Sequence, residues 1–472
     1  MNSLLPTSSR QVERDFRSTE CLWTTTSTSD DSPATPRPTP MKLMTCFAVI
    51  FASISLAAPG WADEATPPNV ILILSDDHGF PDYGFMGSEV ARTPNLDRMA
   101  AESLLYTRGY VMPVCSPSLA SLLTGRLPHS HGITGNDLSQ ASIEAENAKG
   151  KLDRDPLSQR LLANSPILPQ SLDDAGYVSF QTGKLWNVTA EEVGFTQGMT
   201  NREGRHGGEG LAIGRKSMDP IYKFIDSAVD QEKPFFVWYA PLLPHLPHNP
   251  PEELLARYQD QGLSPGAAKY YAMVEWFDQT CGELDDYLDQ NDLADNTVVI
   301  YLADNGWDAE RQGRAKLSPF ELGIRTPIFV RWPGKVQPQR DETTLASILD
   351  VMPTIFSACG IEVPDDLPGL NLVDHQEMQK RDTVFVEGYT HDIADLDKPE
   401  KSLVTRVVID GWNKLVVPGS RRPDKGYTSA PESVELFDLK SDPLEKQNLA
   451  AEQPQVVDQL KGLLKTRWDA GE

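Results

Sequence analysis

The sequence predicts an α/β protein. A large, mixed, mostly parallel sheet is sandwiched by helices, and a smaller C-terminal antiparallel sheet carries a helix. Three observations predict it. Two apolar runs of strand length, Asn69 to Ser75 and Thr297 to Ala303, lack the alternation of a half-exposed strand, so both read as central strands buried on two faces. Segments of helical period separate them, as in a sheet with crossover connections. After about Leu372 the pattern shifts to short strands divided by turns, ending in an amphipathic helix from Pro454 to Trp468.

The chain has 472 residues, enough for one large domain and a smaller one. Residues 1–40, rich in Ser, Thr and Pro, have no hydrophobic periodicity and are expected to be disordered. Residues 41–62 read as a signal peptide: Met41-Lys42, an apolar run from Phe47 to Ala58, and Pro59-Gly60-Trp61-Ala62 before Asp63. Translation is expected to start at Met41, and the product to be exported to a periplasm or the exterior. The apolar run is too short for an ordinary membrane span. Residues 63–372 then form the main domain and 373–472 a C-terminal subdomain. The net charge of -25 argues against non-specific binding to nucleic acid, which needs a basic surface. Of five cysteines, Cys115, Cys281 and Cys359 follow the signal, and an odd number in an exported chain leaves at least one free thiol. Cys281 and Cys359 either pair or lie in apolar helical core.

The first buried strand ends in Asp76-Asp77-His78-Gly79. Adjacent carboxylates at the carboxyl end of a buried strand are costly unless a cation holds them, although Asp and Gly also make ordinary turns. The second strand repeats the pattern with Asp304-Asn305-Gly306. Four oxygen-bearing side chains in two such pairs suit a hard cation, Ca²⁺ or Mg²⁺. Between them, Cys115 stands at the mouth of a short helix with Ser116 as its expected cap, Pro117 in its first turn, Leu119, Leu122 and Leu123 on its buried face and Gly125 at its end. A helix start gathers unpaired N–H groups and positive potential, which suits an anion such as sulfate or phosphate.

The remaining elements follow in order. Thr93 to about Ser103 and Ile167 to Gly176 read as helices, Tyr177 to Phe180 as a strand leading to Gly183-Lys184-Leu185-Trp186, and Phe235 to Tyr239 as a strand ending near Pro244-His245-Leu246-Pro247-His248. Arg126, His129 and His131 lie in a polar loop, and the glycine-rich stretch 196–215 with Arg202, Arg205, His206 and Arg215 reads as a long functional loop. Residues 266–291 read as a helix, Lys316 falls in a flexible stretch, Ile328 to Arg331 is a strand, and Leu345 to Gly360 reads as one amphipathic helix.

Taken together, Asp76-Asp77-x-Gly79, Thr93-Pro94-Asn95-Leu96-Asp97, Cys115-x-Pro117-Ser118 with Thr124-Gly125, Gly183-Lys184, Pro244-His245-x-Pro247, Asp304-Asn305-Gly306, Lys316 and Gly323-Ile324-Arg325-Thr326-Pro327 resemble the formylglycine-dependent sulfatases of the alkaline phosphatase superfamily. The likeness runs from Asn69 to about Ala450, where Glu435-Leu-Phe-Asp-Leu439, Asp442-Pro443 and Asn448-Leu449 resemble the C-terminal signature of that family. The resemblance implies an alkaline phosphatase-like fold and a sulfuric ester hydrolase. It implies that Asp76, Asp77, Asp304 and Asn305 bind one Ca²⁺ and that Cys115 is oxidised by a maturation enzyme to formylglycine, whose hydrate attacks sulfur. Lys184 and Lys316 would offset charge on the sulfuryl oxygens, and His245 would bind the ester and assist the leaving oxygen. The implied partner is a sulfated small molecule or glycan.

Two positions depart from the family pattern. Leu119 stands where the family usually has an arginine that holds the hydrate, and Trp186 stands where it often has a histidine. Arg126, His131 and His206 are the candidates to supply what these remove, and with Trp186 are the expected substrate-binding residues. Two other activities fit the same residues: a phosphate or phosphonate ester hydrolase of the same superfamily, and a non-catalytic protein that holds a sulfated glycan.

Overall fold

The computed structural model describes residues 66–149, 155–186, 188–201, 208–310, 313–421 and 430–470. The disordered segment and signal peptide expected within residues 1–62, with Cys21 and Cys46, lie outside the described residues, as does His206.

The strands in chain order are β1 (Asn69–Ser75), β2 (Leu104–Tyr110), β3 (Asp137–Leu138), β4 (Val178–Gly183), β5 (Gln197–Gly198), β6 (Phe235–Ala240), β7 (Thr297–Ala303), β8 (Arg325–Arg331), β9 (Gln339–Asp341), β10 (Ala346–Ser347), β11 (Thr383–Tyr389), β12 (Asp392–Ile393), β13 (Leu403–Asp410), β14 (Asn413–Pro418) and β15 (Glu435–Asp438). A nine-stranded sheet runs β10-β2-β8-β7-β1-β6-β4-β5, with β9 on β2. Strand β8 is antiparallel to both β2 and β7, and the other described pairings in this sheet are parallel.

The two apolar runs lie side by side at the centre, β1 pairing with β7 from Asn69↔Thr297 to Ser75↔Ala303. Period-2 alternation divides their side chains between two cores. Val70, Leu72, Leu74, Val298, Ile300 and Leu302 face one layer with Leu119, Leu122 and Leu123 of the helix Cys115–Thr124. Ile71, Ile73, Val299 and Tyr301 face the other, with Met273, Phe277 and Leu284 of the long helix Pro265–Gln290. Apolar residues on both faces are thus what a strand buried between two helical layers requires. The expected α/β architecture is the observed one.

Two local readings need correction, and the alternative left open at the cysteines is resolved. Strand β2 was not foreseen, because Arg108 interrupts its apolar run; the buried guanidinium is satisfied by the carbonyls of Thr343 and Gly411 and stacks on Trp412. The single helix expected over Leu345 to Gly360 is instead β10, a 3₁₀ turn Ile348–Asp350 and the helix Val351–Ala358. Its late start follows from Ser347 and Asp350, which form a reciprocal capping box. Cys281 and Cys359 are both free thiols, and Cys281 is core.

The segment after Leu372 builds the antiparallel sheet β11-β13-β14-β15, on which the helix Pro454–Arg467 packs through Val457, Leu460 and Leu464. Both sheets belong to one compact unit, Ala65–Glu472. Lys414 of β14 is fully buried and reaches Glu321 Oε1 at 3.0 Å and Glu445 Oε1 at 2.7 Å, tying the smaller sheet to the chain just beyond Lys316. Among the described residues no helix is long and apolar enough to cross a membrane.

Strand β4 delivers Lys184 only because its last residue is glycine. Gly183 has φ +73°, and a Cβ there would lie 1.9 Å from the Ala240 carbonyl oxygen of β6. Gly183→Ala is therefore expected to lower the unfolding free energy by more than about 2 kcal/mol. Urea denaturation measures this, and an unchanged midpoint would contradict the close backbone approach.

Candidate active site

The carboxyl ends of β1, β4, β6 and β7 converge, which is where sheets of this kind place ligands. Backbone hydrogen bonds hold the loops together there: Asp76 N–H donates to the Leu243 carbonyl, Asp304 N–H to Ser75, and His78 N–H to Asn305. Asp77 takes a left-handed conformation, φ 61°, with its side chain meeting Asn305 of the second pair. Arg215 braces the loop carrying His245, donating to the Leu242 carbonyl at 3.1 Å and to Asn249 at 2.7 Å.

Asp76, Asp77, Asp304 and Asn305 are all buried. Lys184 Nζ lies 2.7 Å from Asp76 Oδ1 and 3.6 Å from Asp304 Oδ2. Lys316 Nζ contacts Asp77 Oδ1 at 2.5 Å, and Asn305 Nδ2 donates to the same oxygen at 2.8 Å. His245 Nε2 stands 3.5 Å from Asp77 Oδ2, while its Nδ1 donates to the Leu246 carbonyl. The stretch around Lys316, expected to be flexible, is a turn pinned by Leu317 N–H on the Pro113 carbonyl at 2.7 Å, with Leu317 packed on Val114 and Cys115.

Electrostatics separates the three carboxylates. Burial is the largest influence on Asp76 and works against its charge, but Lys184, His245 and Lys316 together outweigh it and hold the carboxyl below its usual range. Asp77 is likewise held low, with Lys316, His245 and Lys184 together outweighing burial. Asp304 goes the other way: burial, then the neighbouring Asp76 charge, push it well above the carboxylate range. With Asp304 ionised, three buried carboxylates against two ammonium groups would leave one negative charge unmatched, which is why its carboxyl is pushed up. Meanwhile Asp76 Oδ2, Asp304 Oδ2 and Asn305 Oδ1 are buried oxygens with no hydrogen bond. Unpaired lone pairs on hard donors beside unmatched negative charge fit a divalent cation such as Ca²⁺ or Mg²⁺.

Cys115 opens the helix Cys115–Thr124, and Gly125 closes it in the left-handed conformation, as expected. The expected cap differs. The helix begins two residues early, so Ser116 lies inside it, and Asn136 caps from another loop by accepting the Ser116 N–H on Oδ1 at 3.2 Å. The same amide lies 3.6 Å from Cys115 Sγ through Nδ2. Both Lys184 and Lys316 lie within electrostatic reach of the thiol. The arrangement thus joins a nucleophile, two ammonium groups, a histidine and a cation-ready oxygen set in one buried cluster.

The four expected substrate-binding residues divide. Trp186 reaches the cluster: its ring lies 5.9 Å from Lys184 Nζ, and its Nε1 donates to the Asn136 carbonyl at 2.6 Å. Arg126 does not. It follows the far end of the Cys115 helix, about 15 Å along the axis, and is committed to Asp366 at 2.7 Å and to the Ser165 carbonyl. His131 is fully buried against the same helix, bonded to Ser121 and to the Ile133 N–H, and burial pushes it down to about 3. It braces the helix as a neutral ring and cannot replace an arginine. Leu119, 2 % exposed, lines an apolar pocket with Trp186, Ile133, Leu157 and Leu161, so the two departures from the expected motif face one another.

Three contributors escaped the sequence reading. Asn136 sits in Gly135-Asn136-Asp137, which looks like any turn. His391 comes from the segment after Leu372, its Nε2 3.4 Å from Asn136 Nδ2. Arg215 was assigned to a substrate loop yet holds the His245 loop.

The chain's relatives identify its family. Residues 68–361 match the sulfatase family model, and residues 315–469 match that of the N-sulphoglucosamine sulphohydrolase C-terminal region. The chain is 30% identical over 372 residues to N-acetylgalactosamine-6-sulfatase of Canis lupus familiaris, covering 68% of each. It is 26% identical over 497 residues to an endo-4-O-sulfatase of Bacteroides thetaiotaomicron, covering 87% of this chain and 94% of the relative. The crystal structure of Ps i-CgsB superposes with a TM-score of 0.67 at 21% identity, covering 86% of this chain and 93% of the other, and so shares its fold. The chain belongs to the sulfatase family and is a hydrolase of the alkaline phosphatase superfamily.

Proposed function

We propose that the protein is an exported sulfatase that hydrolyses sulfate esters of a sulfated carbohydrate, using a formylglycine made from Cys115 and one Ca²⁺. The observation that carries this reading is the position of Cys115. It lies at a helix start, touched by Asn136, with Lys184 and Lys316 in reach and the acidic oxygen set beyond them. A structural cysteine in apolar core needs none of these. The carbohydrate class follows from the relatives, which include sulfatases named for N-acetylgalactosamine-6-sulfate and ulvan. Export follows from the pattern in residues 41–62.

Ca²⁺, held by Asp76, Asp77, Asp304 and Asn305, would supply Lewis-acid stabilisation of a sulfuryl oxygen and turn the net charge of the cluster positive. Formylglycine would supply a geminal diol at position 115, whose second hydroxyl would let sulfate be shed by elimination with return of the aldehyde. The chain's own residues do the rest. Lys184 and Lys316 face negative charge that builds on the sulfuryl oxygens, in a buried setting where such charge is weakly screened. Asn136 holds the nucleophile through its amide. His245 presents Nε2 toward the cluster; burial lowers its pKa and the Asp76 and Asp77 charges oppose that, and in its protonated form it is placed to deliver the Nε2 proton to the leaving oxygen.

Mass spectrometry of the Cys115 peptide from native material is expected to find the aldehyde, and the same digest to begin near Asp63. Unmodified thiol throughout would rule out the formylglycine route. With it, hydrolysis of a phosphate ester but no sulfate ester would favour the superfamily's phosphate or phosphonate chemistry.

Asp304→Ala is expected to cut activity more than about 100-fold. With excess Ca²⁺ it should also melt below the wild type, and a chelator should erase that difference, because the stabilisation comes from cation binding to the folded state. Equal melting temperatures in Ca²⁺ would refute the metal assignment whatever the activity.

A further inference from the structure

The amide that touches Cys115 is gripped from several sides. Because Asn136 Oδ1 accepts the Ser116 N–H, the other end of the amide is the donor, and it points at Cys115 Sγ and at His391 Nε2, 3.4 Å away. The Asn136 N–H donates to the His391 carbonyl at 2.9 Å. Gly135 allows this approach, since a Cβ there would meet the His391 carbonyl oxygen at 2.6 Å. Immediately beyond, β3 and β12 pair with Asp137 opposite Asp392. The contact between residue 136 and residue 391 is thus built into the backbone.

Hydrogen-bond chemistry then orders the protons. The Asp392 carboxylate can only accept, so His391 Nδ1, 2.8 Å from Asp392 Oδ1, carries the hydrogen. Asp137 Oδ2, 3.7 Å from the same nitrogen, favours the same tautomer. His391 Nε2 is left as an acceptor, and the Asn136 amide supplies its hydrogen. This is the geometry by which a carboxylate fixes a histidine and the histidine fixes a third group.

We propose that Asp392 and His391 are a positioning pair that acts through Asn136 on the group at position 115. The pair supplies, from the C-terminal segment, the orientation that Leu119 cannot give and that Trp186, committed to the Asn136 carbonyl, gives only from the backbone side. The proposal rests on the sulfatase reading for its kinetic consequence but not for its geometry.

A double-mutant cycle tests it, with kcat normalised to the formylglycine content of each preparation. His391→Ala is expected to lower kcat at least about tenfold with KM within about twofold. His391→Gln, whose Oε1 can accept the same amide hydrogen, should recover most of that loss. In an Asn136→Ala background, His391→Ala should make no further difference. Losses that multiply, or a wild-type kcat in His391→Ala, overturn the proposal. If His391→Ala fails to fold, Asp392→Ala takes its place with the same expected loss. If the wild type hydrolyses no sulfate ester, the sulfatase reading fails and the geometry is still tested. The Asn136 side-chain resonance of ¹⁵N-asparagine-labelled protein should move in His391→Ala and return in His391→Gln. A resonance unmoved in His391→Ala would sink the pair.

Discussion

Three carboxylates and two ammonium groups share a dry space at the ends of four strands, and the rest of the molecule answers to that charge balance. Asp76, Asp77 and Asp304 are buried against Lys184 and Lys316. Removing one partner from such a set strands the others at a cost of about 3–5 kcal/mol, so each lysine must be delivered accurately. Gly183 lets β4 hand Lys184 inward past Ala240, and the Leu317 turn does the same for Lys316. The nine-stranded sheet is in this sense a device for holding ionised groups where water would otherwise be needed. A divalent cation would draw Asp304 into its ionised form and leave a surplus of one positive charge, which suits a singly charged ester.

The nucleophile is supported differently, by neutral groups. Asn136 caps the helix and touches the thiol, Trp186 holds Asn136, and His391 reaches it from beyond residue 372. Where the family pattern would put an arginine and a histidine, this chain has a leucine and a tryptophan lining one apolar pocket. The two departures are mutually consistent: an arginine opposite Trp186 would bury a charge among Ile133, Leu157 and Leu161, whereas a leucine buried there carries none. Lys414, between Glu321 and Glu445, anchors the smaller sheet close to the Lys316 turn.

What could be read from the chain alone was whatever its local pattern carries. Continuous apolar runs bounded by acidic pairs named β1 and β7 and their position at the sheet centre, because only a strand covered on both faces is apolar throughout. The same runs, with Cys115, Lys184, His245 and Lys316, marked residues that the fold then brings together. Strand β2 was hidden by a buried arginine, and the β10 stretch by a capping box that delays its helix. Arg126 and His131 looked like site residues because they are polar and near Cys115 in sequence, yet ten residues of helix carry Arg126 away and His131 folds back to brace that helix as a buried ring. Asn136 and His391 were invisible for the opposite reason: they are 255 residues apart, and a pairing of that separation leaves no periodicity or spacing to read. Sequence by itself determined the chemistry available and the strands that would bear it, since these depend on residue type and period. The tertiary structure alone decided which distant polar groups face one another around Cys115, since that depends on how β3 and β12 meet.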